Sequence, residues 1–230
     1  MLAGCASTVD GTARQAPPGP VRELATILPS AAEVSDAAGN ALADNGLPAV
    51  GGIDVLPNGI RDNDVASPIE CLGPASPFMR VVFEVGDVRR AAWQEYANFG
   101  DRQTVSSVDA GVVEFASEAE AQRMFGAFVT RWKACEGTTV RTALHDPANT
   151  ELFGKITDVK VDGSLLSATV VNSDNHSDAT FPTERAIGLA ADCVVDVDVA
   201  VTGGTPAQHR AAGRAIGLAT TMQDRVTRGR

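Results

Sequence analysis

The 230-residue sequence lacks most of the features that mark membrane-spanning and nucleic-acid-binding proteins. It has no run of 18 apolar residues, so no segment of it could cross a bilayer as a helix. Its 19 Lys and Arg residues are outnumbered by 29 Asp and Glu residues, which gives a formal net charge of −10. Nucleic acids are bound mainly through basic contacts to phosphates, and anionic membranes through basic patches. We therefore expect that the protein does not bind nucleic acid and does not adsorb broadly to anionic lipid through its charge.

Catalytic and metal-binding motifs are also scarce. The three histidines are isolated, and there is no Cys-x-x-Cys pair and no Gly-x-Ser-x-Gly segment. The spacings typical of a zinc site and of a hydrolase nucleophile are therefore missing. Asp196 and Asp198 could form a pair of acid/base carboxylates, but a cross-strand ion pair with Arg185 is the simpler interpretation. We expect a protein that is not an enzyme and that holds no metal or other cofactor.

The N-terminus carries a short pattern that indicates where the protein resides. Leu2-Ala3-Gly4-Cys5 resembles a bacterial lipobox, the end of a lipoprotein signal peptide, and Cys5 would then carry acyl chains such as palmitate. Because the positively charged and apolar parts of a signal peptide are missing, we expect residues 1–5 to be the remnant of a longer one. Residues 6–19 are small, polar and proline-containing, which predicts a flexible linker with a reach of roughly 20 Å. The predicted location is the outer face of the cytoplasmic membrane.

The strongest secondary-structure signal lies in residues 117–135. Ser117 is a good N-cap, and Glu120 three residues later completes a capping box. Apolar residues then recur at helical spacing, which predicts one amphipathic helix whose stripe faces the core. The stripe consists of Ala121, Phe125, Phe128, Trp132 and Cys135.

The rest of residues 20–226 alternates between short helices and strands, which indicates a single α+β domain. Two short helices are predicted within 20–40, a helix followed by a turn within 68–88, and a terminal helix at 205–226 with Thr205 as its cap and a frayed tail at 227–230. Strands are predicted at 91–99, 105–115, 138–144, 156–161 and 165–171. Residues 185–201 read as a hairpin that turns at 191–192. In this register one face of the hairpin is wholly apolar and should be core.

The four cysteines leave more than one disulfide arrangement open. With Cys5 assigned to lipid, three remain, and one of them has to stay outside any disulfide within the monomer. Cys193 lies on the apolar face of the predicted hairpin, where a small buried thiol is a common occupant. This favours a bond between Cys71 and Cys135, which an oxidising compartment permits. The pairs Cys135–Cys193 and Cys71–Cys193 stay possible from the residues alone.

The order and spacing of several short segments resemble the PknH-like extracellular domain, the sensor domain of a mycobacterial serine/threonine kinase that also occurs in actinobacterial lipoproteins. The resemblance covers about residues 22–225. The matching segments are Glu70-Cys71, Trp93, Phe115-Ala116-Ser117, Arg131-Trp132-Lys133-Ala134-Cys135, Glu184-Arg185-Ala186 and Val194-Val195-Asp196-Val197.

The resemblance implies an α+β fold in which an antiparallel sheet packs against helices around a cleft. It supports the disulfide between Cys71 and Cys135. The family's second disulfide has no counterpart, because Thr183 stands where a cysteine would precede Glu184, and Cys193 lies elsewhere. Cys193 is therefore expected as a buried thiol outside the disulfide.

Ligand binding or sensing is the function that the resemblance implies. We expect an envelope lipoprotein that binds a small molecule or lipid through a cleft walled by Trp93, Tyr96 and Phe99, with Arg185 as a polar anchor. Each of these residues could equally be ordinary core or part of an ion pair. The alternative is a non-catalytic lipoprotein that interacts with another envelope protein or has a structural role. An open, partly apolar cavity would favour the first function, and a flat exposed apolar patch the second.

Overall fold

The computed structural model of the protein describes residues 23–100, 103–202 and 213–229. The predicted lipid site at Cys5, the linker at 6–19 and the predicted cap at Thr205 lie outside these ranges. Within the described residues, no helix is both long and apolar enough to cross a membrane. The helices are α1 (Ala31–Ala38), α2 (Leu72–Ala75), α3 (Arg80–Phe83), α4 (Glu118–Cys135) and α5 (Gly213–Arg228), with short 3-10 turns at Leu24–Ile27, Ile53–Val55 and Ile69–Cys71.

The described strands form one antiparallel sheet. Its order is β1-β4-β5-β10-β9-β8-β7-β6-β3, and β2 also pairs with β4 beside β1. The strands are β1 (Ala43–Asp44), β2 (Ala49–Gly51), β3 (Ala66–Ser67), β4 (Val88–Ala97), β5 (Val105–Phe115), β6 (Thr139–Ala143), β7 (Glu151–Asp162), β8 (Leu165–Asp174), β9 (Phe181–Ala190) and β10 (Cys193–Val201). The predicted α+β class with an antiparallel sheet is confirmed.

Helices cover the two faces of the sheet, and each face has its own apolar cluster. On one face α1, α5 and the first 3-10 turn pack against alternate residues of β5, β9 and β10. On the other face α4 packs against the remaining parity of the same strands. This arrangement follows from the two-residue period of a strand, which sends neighbouring side chains to opposite faces.

The hairpin of β9 and β10 has the predicted register. Cys193 pairs with Ala190, and the pairing continues to Ala200 with Thr183 without a shift. Ala191 occupies the turn with a φ of 56°. The apolar face of this hairpin lies in the α1/α5 cluster, and Cys193 on it is fully buried and outside the disulfide.

Helix α4 begins directly after Ser117, and all five residues of its predicted stripe are buried. Ser117 Oγ accepts the Glu120 backbone N–H at 3.1 Å, as an N-cap should. The carboxylate of Glu120 does not return to the cap; it accepts from the Asp87 backbone N–H and from Arg123 instead. The helix therefore has half of the predicted capping box, because the Glu120 carboxylate is taken by a neighbour in the same helix and by the backbone of Asp87.

Residues 68–88 differ from their predicted helix followed by a turn. They form a 3-10 turn, α2 and α3, each three or four residues long. Phe78 interrupts them with a φ of 55°, and its ring is buried against the sheet. Helix α5 runs to Arg228, two residues beyond the predicted end at 226. The single predicted helix is therefore wrong, because the left-handed backbone at Phe78, whose ring is buried against the sheet, separates two short helices.

The disulfide between Cys71 and Cys135 is confirmed. It joins the end of the third 3-10 turn to the end of α4, with the two Cα atoms 5.6 Å apart. Both cysteines lie in a third apolar cluster under β6 and β7. The bond therefore fixes the irregular segment 69–85 against α4.

Candidate functional site

A groove runs between α4 and the segment 69–85 that the disulfide holds beside it. Its volume is about 210 Å³. The walls are almost entirely apolar, with charged side chains only at Glu70 and Arg131, which are both exposed. The lining residues are Ile69, Glu70, Gly73, Val81, Val82, Val85, Met124, Ala127, Phe128, Arg131 and Trp132.

Trp132 brings a buried polar group to the groove region. Its side chain is fully buried, and among the described residues its indole N–H has no hydrogen-bond partner. Gly73 lies beside it: a methyl group added there would stand 3.7 Å from Trp132 Nε1 and 3.2 Å from Val82 Cγ1. A side chain at position 73 would therefore crowd Val82 where this part of the wall packs against Trp132.

A second, shallower depression of about 520 Å³ continues from the groove along α4. Its lining is Gly126, Ala127, Thr130, Arg131 and Ala134. Ala127 and Arg131 line both depressions, so Arg131 stands where the apolar groove opens onto the shallow surface. Among the described residues Arg131 makes no ion pair, and no carboxylate lines the shallow part.

Behind Trp132 lies a buried cation. The guanidinium carbon of Arg185 is 5.6 Å from the centre of the Trp132 ring, a cation–π distance. Arg185 Nη1 lies 2.9 Å from Asp196 Oδ1 and 3.7 Å from Asp198 Oδ2. Its nitrogens also donate to the carbonyls of Gly73, Pro74 and Val197. Because Gly73 lines the groove, Arg185 fixes the groove wall from the inside.

Three acidic residues lie side by side across the sheet in the row of Arg185. The register places Glu95 opposite Asp109, Asp109 opposite Asp198, and Asp198 opposite Arg185. Burial raises the pKa of Asp198 to about 8, with Asp109 and Asp196 adding to the effect and Arg185 opposing it. Burial and the nearby Glu95 raise the pKa of Asp109 to about 7. Asp198 and Asp109 therefore bind protons near neutral pH, where ordinary aspartates are ionised.

The four side chains predicted to wall a cleft are not brought together. Trp93 is half-buried, its ring is stacked 6.0 Å from that of Phe78, and its Nε1 donates to the Val55 carbonyl at 2.9 Å. Tyr96 lies on the opposite face of the sheet, where its buried hydroxyl donates to the Pro29 carbonyl. Phe99 follows the end of β4 and is 76% exposed, while Arg185 is fully buried. These residues therefore do not line one cavity.

The groove residues were only partly visible in the sequence. Phe128 and Trp132 stood out as members of the buried stripe, and Arg131 as part of the matching segment before Cys135. Met124 is not part of the predicted stripe, although it lies four residues before Phe128 on the same face. The valines of 81–85 belong to a predicted apolar segment, but their position opposite α4 depends on the disulfide and on the left-handed backbone at Phe78.

One further cluster has ligand atoms of a type that metals accept. The acceptor atoms of Glu114, Asp192 and Cys193 lie within 4.8 Å of one another. Both carboxylate oxygens of Glu114 already accept from Arg90, at 2.7 and 3.0 Å. A bidentate guanidinium satisfies this carboxylate with positive charge. We interpret the cluster as an ion pair beside a buried thiol.

Comparisons with known proteins agree on one family. The model of the PknH-like extracellular domain matches residues 20–225. Among solved structures, the crystal structure of the extracellular domain of PknH from Mycobacterium tuberculosis matches with a TM-score of 0.71 at 20% identity, covering 89% of this chain and 95% of that one. A comparison with curated protein sequences finds no significant match. The structural likeness establishes the fold, and the family match covers nearly the whole chain.

Proposed function

The chain belongs to the PknH-like extracellular domain family, and from this premise we propose that it is an envelope-anchored binding module whose α4 groove takes a small molecule or lipid. The observation that carries the proposal is the groove itself, which lies between α4 and segment 69–85 and is walled mainly by apolar side chains, Phe128 and Trp132 among them. Concave sites with mostly apolar walls and a few polar groups are where proteins usually bind small molecules.

The shape and stiffness of the groove support the same function. Its walls are mostly apolar side chains with the charged groups of Glu70 and Arg131 among them, the usual pattern of a small-molecule site. At about 210 Å³ it is smaller than the roughly 300–1,000 Å³ of pockets that enclose a drug-sized ligand, so it suits a narrow molecule. The disulfide at its end and the Arg185 contacts to the Gly73 and Pro74 carbonyls hold both walls in place. A preformed site of this kind loses little entropy on binding.

Anchoring through acyl chains on Cys5 completes the proposal. The family is one of extracellular domains, and the lipobox-like residues 2–5 supply the means of attachment. The test is metabolic labelling with palmitate in an actinobacterial host, with the chain placed after a complete lipoprotein signal peptide. Incorporation of label that is lost in Cys5→Ser supports anchoring. Equal labelling of both proteins, or of neither, contradicts it.

Binding is tested by native mass spectrometry after incubation with an extract of the producing organism's envelope. A discrete added mass that is lost on denaturation is expected. Ala127→Trp places a large side chain where the two depressions meet and should abolish the added mass. Ala119→Trp, at an exposed position of α4 outside the groove, is the matched control and should retain it. No added mass, or one that is insensitive to Ala127→Trp, contradicts a function for this groove.

The second candidate is a non-catalytic interaction or structural lipoprotein. It is favoured by exposed apolar side chains at the β1 edge of the sheet, where Leu47 is 92% and Val50 51% exposed. Large exposed apolar residues at a sheet edge are typical of surfaces that contact another protein. Photo-crosslinking from position 47 in the anchored protein should capture an envelope protein in this case. Crosslinks only to lipid or to the same chain would argue against it.

A further inference from the structure

We infer that the ligand is a single-chain anionic amphiphile, with its hydrocarbon chain in the α4 groove and its charged head group over Arg131. This inference rests on the proposed function of the groove and names its ligand class. It is drawn from two adjoining depressions on α4, a groove walled mainly by valine, methionine and phenylalanine and a shallower surface that shares Ala127 and the exposed cation Arg131 with it.

The deep part of the depression selects for a chain. Val81, Val82, Met124 and Phe128 offer no hydrogen-bonding groups, and the small volume does not suit a bulky ring system. Burial of each methylene in such surroundings tightens binding by about fourfold. A hydrocarbon chain therefore gains affinity in proportion to its length until the groove is filled.

The shallow part selects for negative charge. Arg131 is its one charged lining residue and makes no ion pair among the described residues. Gly126, Ala127 and Ala134 around it are small, so they leave room for a head group. Glu70 lines the apolar groove but not the shallow part, where no carboxylate among the described residues opposes an anionic head group.

The exposed guanidinium of Arg131 also sets the chemistry of the head group, because its N–H groups donate to oxygen acceptors. Carboxylate and phosphate head groups carry both oxygen acceptors and negative charge. A fatty acid and a phosphate-bearing lipid share this chemistry, so both sources are included in the test.

The experiment measures the binding of chain-length series to the 230-residue protein by calorimetry, below the micelle concentration of each probe. The probes are alkyl carboxylates, alkyl phosphates, alkyltrimethylammonium salts and alkyl glucosides with six to ten carbons. Anionic probes should bind with affinities that rise by about fourfold per methylene. They should bind more tightly than cationic or neutral probes of equal length. Preference for phosphate over carboxylate would identify a lipid head group as the source, and the reverse preference a fatty acid.

Variants separate the charge from the chain. Arg131→Gln should weaken anionic probes by about two- to fivefold, the effect of an exposed ion pair, and leave neutral probes unchanged. Lys133→Gln, at an exposed position of the same helix outside the depression, is the charge-matched control and should have no effect. Ala127→Trp should weaken every probe by at least about tenfold.

The outcomes distinguish this inference from the proposed function. Binding that is sensitive to Ala127→Trp but equal for anionic, neutral and cationic probes overturns the anionic amphiphile and leaves the groove as a binding site. The same holds if no alkyl probe binds while an envelope extract still gives an added mass that Ala127→Trp removes. If neither the probes nor the extract bind in a manner that depends on Ala127, both proposals are overturned.

Discussion

Replacing Arg185 by methionine should destabilise the protein, and by more at alkaline than at acidic pH. Arg185 is the cation of the cross-strand row that also contains Glu95, Asp109 and Asp198, and it forms an ion pair with the neighbouring Asp196. Methionine has a similar reach and suits the apolar surroundings, so the change removes charge and hydrogen bonds with little change in volume. Three backbone carbonyls lose their donors at the same time.

The magnitude follows from the contacts that are lost. Removing one partner of a buried ion pair costs about 3–5 kcal/mol, because the remaining charge stays buried without compensation. Burial already raises the pKa values of Asp198 and Asp109, to about 8 and about 7, against the opposing pull of Arg185. Without Arg185 these values rise further, so the variant's folded state holds more protons than that of the wild type. For each additional proton bound by the folded variant, its loss of unfolding free energy relative to the wild type grows by about 1.36 kcal/mol per pH unit, over the pH range between the two pKa values.

The assay is urea unfolding at about pH 5.5 and about pH 9, followed by the fluorescence of Trp93 and Trp132. The wild type itself should lose stability as the pH rises from 3.8 towards 8, because the unfolded aspartates ionise before the folded ones. Asp198→Asn should reduce that loss, since it removes a carboxyl group that is costly to ionise in the folded protein. If Arg185→Met costs less than about 1 kcal/mol, or costs the same at both pH values, our account of the buried row is refuted.

Three further predictions concern the scaffold. The double variant Cys71→Ser/Cys135→Ser, or reduction of the wild type, should lower the free energy of unfolding by about 4 kcal/mol, since the bond closes a separation of 64 residues; an unchanged urea midpoint would contradict this. Ser117→Ala should lower it by about 1 kcal/mol through loss of the α4 cap, while Ser117→Asp should retain most of the stability. Gly111→Ala should lower the free energy of unfolding by about 1–3 kcal/mol, because the new methyl group would lie 2.6 Å from a ring atom of Phe78. Gly126→Ala has no atom within 4 Å of the new methyl group and should stabilise α4 by roughly 1 kcal/mol. Equal effects of the two variants in thermal unfolding would argue against this packing.

Local patterns in the sequence determined those elements whose signals repeat over several residues. Helix α4 has five buried residues at helical spacing and a capping serine, so its bounds could be predicted to within one residue. The β9–β10 hairpin has a two-residue period on one face that fixes its register. In both cases the information is contained in residues that are neighbours along the chain.

Structural features that depend on contacts between distant residues could not be predicted in this way. The Glu120 side chain accepts from Asp87 rather than closing its own capping box. Glu184 of β9 accepts the backbone N–H groups of Arg214 and Ala215 at the start of α5, a cap supplied from 30 residues away. Segment 68–88 breaks at Phe78 because that ring is buried against the sheet. Each of these outcomes is decided by which groups the fold brings into contact.

The candidate site shows the same division. The sequence by itself determined the family, the sheet-and-helix class, the disulfide partners that the resemblance favoured and the buried face of α4. It did not determine the groove, because the groove exists only where the disulfide and the Arg185 contacts hold segment 69–85 beside that helix. Nor did it determine that Arg185 is fully buried, since the same cross-strand pair on an open sheet would be solvated. A pattern of side chains specifies which face is apolar, and only the packing of distant segments decides whether that face is filled or left open to a ligand.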